Sequence, residues 1–152
     1  MSAMPRIFVR DMEAADLPRL DLQPDQRAWL DLRDAPLSED YGADLLRCGP
    51  CFTAVRADGT VLACAGFAEQ HPRYAVVWAL LSGAMGADHL AFTRAAAARI
   101  EACAYDRVEA LIRADHQAGA RWARLVGLFW NTRIRKAGPA GEDFDLFERV
   151  RP

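Results

Sequence analysis

The apolar run Tyr74 to Leu81 (YAVVWALL) has no charge and almost no alternation over its eight residues. A half-exposed strand would alternate and a membrane span would be longer, so the pattern predicts a central strand buried on both faces. Ser82-Gly83-Ala84-Met85-Gly86-Ala87 then reverses the chain, and Asp88 stands where a short oxygen-bearing side chain would cap the free N–H groups of a helix. In that helix Leu90, Thr93, Ala96, Ala97, Ile100, Cys103 and Ala104 recur on one side at the 3.6-residue period, with Arg94 and Glu101 directed away. Strand, glycine turn and helix N-terminus together make a candidate anion cradle, a geometry also common in sheets that bind nothing.

Upstream, Arg6 to Arg10 alternates as a short opening strand. Met12-Glu13-Ala14-Ala15-Asp16-Leu17 predicts a first helix interrupted near Pro18, and Asp25 to Leu32 a second. Pro36-Leu37-Ser38 begins a third, with Ser38 as cap and Tyr41, Leu45 and Leu46 facing inward. Phe52 to Arg56 and Thr60 to Phe67 flank Ala57-Asp58-Gly59, whose Asp-Gly pair predicts an antiparallel hairpin. His71-Pro72-Arg73 turns the chain into the central strand beside Val61 to Phe67, completing a four-strand meander. Downstream, Val108 to Arg113 follows a helix and is expected parallel to the central strand through a right-handed crossover. A helix from His116-Gln117 to Val126-Gly127 directs Ala120, Trp122, Ala123 and Val126 inward, with Gly127 as its left-handed stop. Leu128 to Lys136 and Phe144 to Val150 close the chain as a second antiparallel hairpin.

Composition fits one soluble domain over residues 1–152: 52% apolar, 26% charged, formal net charge −2. That balance does not suggest nucleic acid, because Arg121, Arg124, Arg133 and Arg135 are interspersed with Asp and Glu. The N-terminal residues lack a cationic stretch followed by an apolar core, and no run reaches membrane-span length, so synthesis in the cytoplasm is expected. Cys48-Gly49-Pro50-Cys51 has the spacing of a dithiol redox motif. That chemistry places the first thiol at a helix N-terminus, whereas here the pair follows a helix and leads into a strand, so Gly49-Pro50 reads as a helix stop. Cys64 and Cys103 sit singly, which leaves no second pair for a metal.

This order of elements resembles the GCN5-related N-acetyltransferases over nearly the whole chain. The tail carries most of the likeness: Arg121-Trp122-Ala123-Arg124-Leu125-Val126-Gly127-Leu128, then Gly138 to Asp143 and Phe144-Asp145-Leu146-Phe147-Glu148, resemble that superfamily's closing helix, Gly-Phe junction and last strand. Trp78-Ala79-Leu80-Leu81-Ser82 with Gly86, His89, Leu90, Thr93 and Arg94 is similar to acetyltransferase-like proteins that bacteriophages encode among their virion genes. The resemblance implies a mixed, mostly antiparallel α/β (α+β) sheet with a central parallel strand pair, flanked by helices. It also implies an acetyl-CoA site at Leu80, Leu81, Ser82, Gly83, Met85, Gly86 and Ala87.

Two positions depart from the superfamily's pattern of Gln/Arg-x-x-Gly-x-Gly/Ala, since Gly83 stands for Gln or Arg and Asp88 for the small last residue. A carboxylate capping the helix there would oppose a pyrophosphate by about 1 to 2 kcal/mol. Aligning on Gly127 also puts Ala123 where the family's proton-donating Tyr is found, while His116 and Glu69 are candidate bases for an amine. The leading expectation is thus a phage-type protein with a degenerate site and acetyl-CoA binding weak or lost. It would serve as a structural or assembly component of the virion, with other virion proteins or itself as partner and neither membrane nor nucleic acid. The alternative is an active acetyl-CoA-dependent N-acetyltransferase.

Overall fold

A computed structural model describes residues 6–30, 32 and 36–152. In chain order the elements are β1 (Ile7–Asp11), α1 (Asp16–Arg19), α2 (Pro24–Trp29), α3 (Glu39–Cys48), β2 (Cys51–Arg56), β3 (Val61–His71) and β4 (Tyr74–Leu81). There follow α4 (His89–Ala102), β5 (Arg107–Arg113), α5 (Gln117–Leu125), β6 (Phe129–Ile134) and β7 (Phe144–Val150). One seven-stranded sheet has the order β1-β2-β3-β4-β5-β7-β6, mostly antiparallel with the single parallel pair β4–β5. The four-strand meander and the crossover to a parallel neighbour are thus present as the sequence predicts. Contacts divide the chain into two compact units, residues 1–68 with 78–92 and residues 69–77 with 93–152.

The first unit is built on the Asp-Gly hairpin. Gly59 takes φ +88°, its N–H donates to Arg56 O, and Asp58 Oδ1 accepts from Thr60 N–H at 2.9 Å, which fixes the β2–β3 register. The core collects Met12, Leu17, Leu20, Leu22, Leu37, Val61, Cys64 and Leu80. Ser38 caps α3 by accepting from Tyr41 N–H at 3.0 Å. Tyr41 and Leu45 pack on the core, but Leu46 is exposed. Gly42 lets α3 press on the preceding segment, since a Cβ there would lie 2.5 Å from Ala14 O. Pro18 does not interrupt a helix: it falls inside the first turn of α1, where a missing N–H costs no intrahelical bond. Beneath α1, fully buried Asp16 accepts from both nitrogens of the Arg10 fork at 2.8 Å, from Glu13 N–H at 2.9 Å and from Thr53 Oγ1 at 2.8 Å. Desolvation raises its pKa, but these donors outweigh it and bring the value down to about 2.

The second unit packs Ile100, Tyr105, Val108, Ala110, Ala123, Val126, Leu128 and Phe147. Gly127 ends α5 with φ +95°, as its position predicts. β7 inserts between β5 and β6, with Val108 opposite Arg149 and Ala110 opposite Phe147. Two expectations fail on facing. β4 is not buried on both faces: only Ala75 and Leu80 are buried and its other residues are half-buried, and its parallel pairing with β5 is confined to Tyr74–Arg107, Ala75–Val108 and Val76–Glu109. In α4 the buried residues are Phe92, Thr93, Ala96 and Ile100, while Leu90 is exposed, as is Ala104 beyond the helix end. Positions 90 and 92 lie about 200° apart on a helix, so burying the larger Phe92, which stacks tilted on Phe52 with centroids 6.3 Å apart, turns Leu90 out.

Candidate functional site

The turn from β4 into α4 lies wholly in the first unit. Leu80 drops its side chain into the core, and Met85 and Ser82 are buried. Ser82 N–H donates to Leu62 O at 2.8 Å while its Oγ accepts from Ala84 N–H at 3.0 Å, so this serine braces the turn. Gly83 N–H donates to Asp21 O, and Met85 N–H to Ser82 O. Gly86 takes φ +50°, a conformation that favours glycine, and opens a single 3-10 turn, Gly86–Asp88. The N–H groups of Gly86 and Ala87 have no partner among the described residues. A Cβ at Gly86 would meet nothing within 4 Å, and one at Gly83 only Gln23 Cα at 3.8 Å, so both glycines face open space. The turn keeps the shape and free donors that an anionic group needs.

Asp88 does not do what the sequence predicts. It lies inside the 3-10 turn Gly86–Asp88 rather than ahead of it, and its Oδ2 accepts from Arg56 while its Oδ1 has no hydrogen-bond partner. Its carboxylate, 2% exposed, is held by Arg56, whose Nε lies 2.9 Å from Oδ2 and whose Nη2 donates to Ala84 O at 2.7 Å. Arg6 Nε lies 3.2 Å from Oδ1 in an ion contact without hydrogen-bond alignment. Within this cluster two guanidinium groups face one carboxylate, which offsets the penalty that Asp88 itself would impose on a pyrophosphate. Nothing local in the sequence marks this cluster: Arg56 ends a strand 32 residues before Asp88, and only the hairpin register carries it to the turn.

Leu81, also expected to bind cofactor, has both backbone groups engaged. Its C=O accepts from Gln23 N–H at 2.9 Å and its N–H donates to Gln26 Oε1 at 2.8 Å, while Gln26 Nε2 donates to Ala79 O at 2.8 Å. Ser82 points to β3, so by alternation Ala79 and Leu81 present the opposite edge of β4, and one glutamine amide from α2 spans both.

The second unit holds the other expected groups. Ala123 is fully buried, and neither tyrosine of this unit lies on α5: Tyr74 donates to Glu109, and Tyr105 donates to Glu69 Oε2 at 2.8 Å. Desolvation first and Glu69 second push the Tyr105 hydroxyl up to about 12. His116 precedes α5 with its ring over Gly119 and makes no side-chain cap bond. The cysteines are all free. Burial, followed by Cys48, raises the Cys51 thiol to about 11, the reverse of what dithiol redox chemistry requires. Among the described residues no group of three His, Cys, Asp or Glu could hold a metal, and no helix is long and apolar enough to cross a membrane.

No family model matches the chain, and no curated protein matches it in sequence. Solved structures do match in fold. A phosphinothricin acetyltransferase of the GNAT superfamily from Sinorhizobium meliloti, in complex with acetyl-CoA, aligns with TM-score 0.72 at 18% identity, over 97% of this chain and 89% of that one. A GCN5-related N-acetyltransferase from Kribbella flavida aligns with TM-score 0.71 at 18% identity, over 95% and 98%. A variant of the spermidine N-acetyltransferase of Vibrio cholerae gives 0.67 at 12%, over 95% and 94%. The chain therefore has the fold of the GCN5-related N-acetyltransferases, as its order of elements implied.

Proposed function

We propose that the chain binds acetyl-CoA at the Gly83–Ala87 turn and acts as an N-acetyltransferase on an amine. The observation that carries this reading is the Arg56–Asp88–Arg6 cluster, which removes the electrostatic objection to an anion at the free N–H groups of Gly86 and Ala87. Acetyl-CoA bound in the S. meliloti structure of the same fold supports it. When bound, the cofactor would supply an acetyl group activated as a thioester. The chain would contribute the two free N–H groups, the positive field of Arg56 and Arg6, and glycines small enough for close backbone approach. Ala123 offers no proton, so protonation of the departing sulfur is left to solvent.

A second reading has Ala123 and the missing Gln or Arg at Gly83 in its favour. In it the chain keeps the fold as a structural component of a phage particle, binds acetyl-CoA weakly or not at all, and has virion proteins or itself as partners. Titration calorimetry separates the two. The enzyme reading expects low-micromolar acetyl-CoA affinity, about −8 kcal/mol, and steady release of free thiol with a panel of polyamines and amino acids. Absence of binding at millimolar acetyl-CoA together with no thiol release would replace it with the structural reading.

A further inference from the structure

We propose that Gln26 is a displaceable latch: its side-chain amide holds the edge of β4 that the amide-bearing arm of acetyl-CoA takes on binding, and α2 gives way to it. The inference rests on the reading that the Gly83–Ala87 turn holds acetyl-CoA. The parallel ladder of β4 with β5 ends at the pair Val76–Glu109, so beyond Val76 this edge of β4 has no strand beside it among the described residues. There the groups of Ala79 and Leu81 are taken by one side chain. Gln26 Nε2 donates to Ala79 O and Gln26 Oε1 accepts from Leu81 N–H, each at 2.8 Å. A residue of a parallel neighbour opposite Leu80 would make the same two bonds, its N–H to the carbonyl before Leu80 and its C=O to the N–H after it. The glutamine amide thus stands in for one more rung of the parallel ladder.

Such a place accepts a group that offers both an N–H and a C=O, and between its pyrophosphate and its sulfur coenzyme A carries an extended chain of that chemistry. Leu81 stands two residues ahead of Gly83, so a chain running from the turn back along the strand meets Gln26 there. What holds α2 in this position is polar and shallow. None of its six residues is buried, Trp29 and the following Leu30 are exposed, and no side chain caps its first turn. Besides the two bonds of Gln26, Gln23 N–H donates to Leu81 O at 2.9 Å and Arg27 Nε to Leu22 O at 3.2 Å. A short helix fixed by hydrogen bonds over little buried apolar surface opens at small free-energy cost, which is what a latch requires. A latch closed in about nine molecules of ten lowers the apparent affinity of the group that displaces it about tenfold.

Amide hydrogen exchange read at Leu81 and calorimetry with acetyl-CoA test this on the full chain. In Gln26→Ala the Leu81 N–H should exchange at least about tenfold faster than in the unaltered chain, and added acetyl-CoA should slow it again. Acetyl-CoA affinity should rise about tenfold, 1.4 kcal/mol. Gln26→Met keeps the length of the side chain without its amide and should behave alike, and circular dichroism shows that each variant is folded. Leu81 exchange that is the same with and without the Gln26 amide, or acetyl-CoA affinity unchanged or weaker in both variants, overturns the latch and leaves the acetyl-CoA reading in place. Binding by neither the unaltered chain nor a variant removes that reading and the latch together.

Discussion

Asp88→Asn distinguishes a helix-capping carboxylate from one held in an ion cluster. Asparagine keeps the shape and removes the charge, leaving Arg56 and Arg6 facing a neutral amide. Removing one partner of a buried pair costs about 3 to 5 kcal/mol, and an exposed pair contributes no more than about 1. Asp88 is buried, but the Arg56 side chain is 33% exposed and Arg6 71%, so a loss of about 2 to 3 kcal/mol is expected. For a chain of this length that corresponds to roughly 5 to 10 °C in melting temperature. The same change should lower acetyl-CoA affinity, because Arg56 also fixes Ala84 O and its placement depends on the carboxylate. Urea unfolding measures the first effect and calorimetry the second. If Asp88 were only a cap that repelled phosphate, asparagine would cost well under about 1 kcal/mol, since it caps nearly as well, and affinity would rise about tenfold. That pair of results would refute the ion-cluster argument.

Asp16 should make the fold acid-sensitive. Its folded pKa of about 2 lies below the usual 3.8, so its stabilisation, about 2 to 3 kcal/mol, is fully present above about pH 5 and is lost as pH falls toward 2; Asp16→Asn should flatten that part of the stability–pH curve, and an unchanged curve would argue against the buried cluster. Among the cysteines, exposed Cys48 should be alkylated first at pH 8, while Cys51, raised to about 11, and Cys64, raised by burial to about 12, resist until unfolding. Replacing Cys48 and Cys51 with Ser should leave any function intact, and a Cys51 thiol that ionises well below 8.5 would contradict this.

Much of the fold was legible in the chain because its signals are local. The Asp-Gly turn sets one register, Ser38 and Gly127 mark helix ends, and the apolar run at Tyr74–Leu81 marks the centre of the sheet at its observed bounds. The turn between β4 and α4 was legible as a glycine pattern for the same reason, since its shape depends on residues adjacent in sequence. What the pattern could not show was which way a side chain faces when two apolar residues compete, as Leu90 lost to Phe92, because that depends on the volume available across the core. Nor could it show which partner a charge finds. Asp88 stands at a capping position by sequence, yet it is Arg56, brought over by the hairpin, that takes its carboxylate, and a glutamine from α2 that takes the edge of β4 beside it. Local backbone preference is written within a few neighbouring residues, whereas the pairing of buried charges and strand edges is decided by distances that exist only after the sheet has closed.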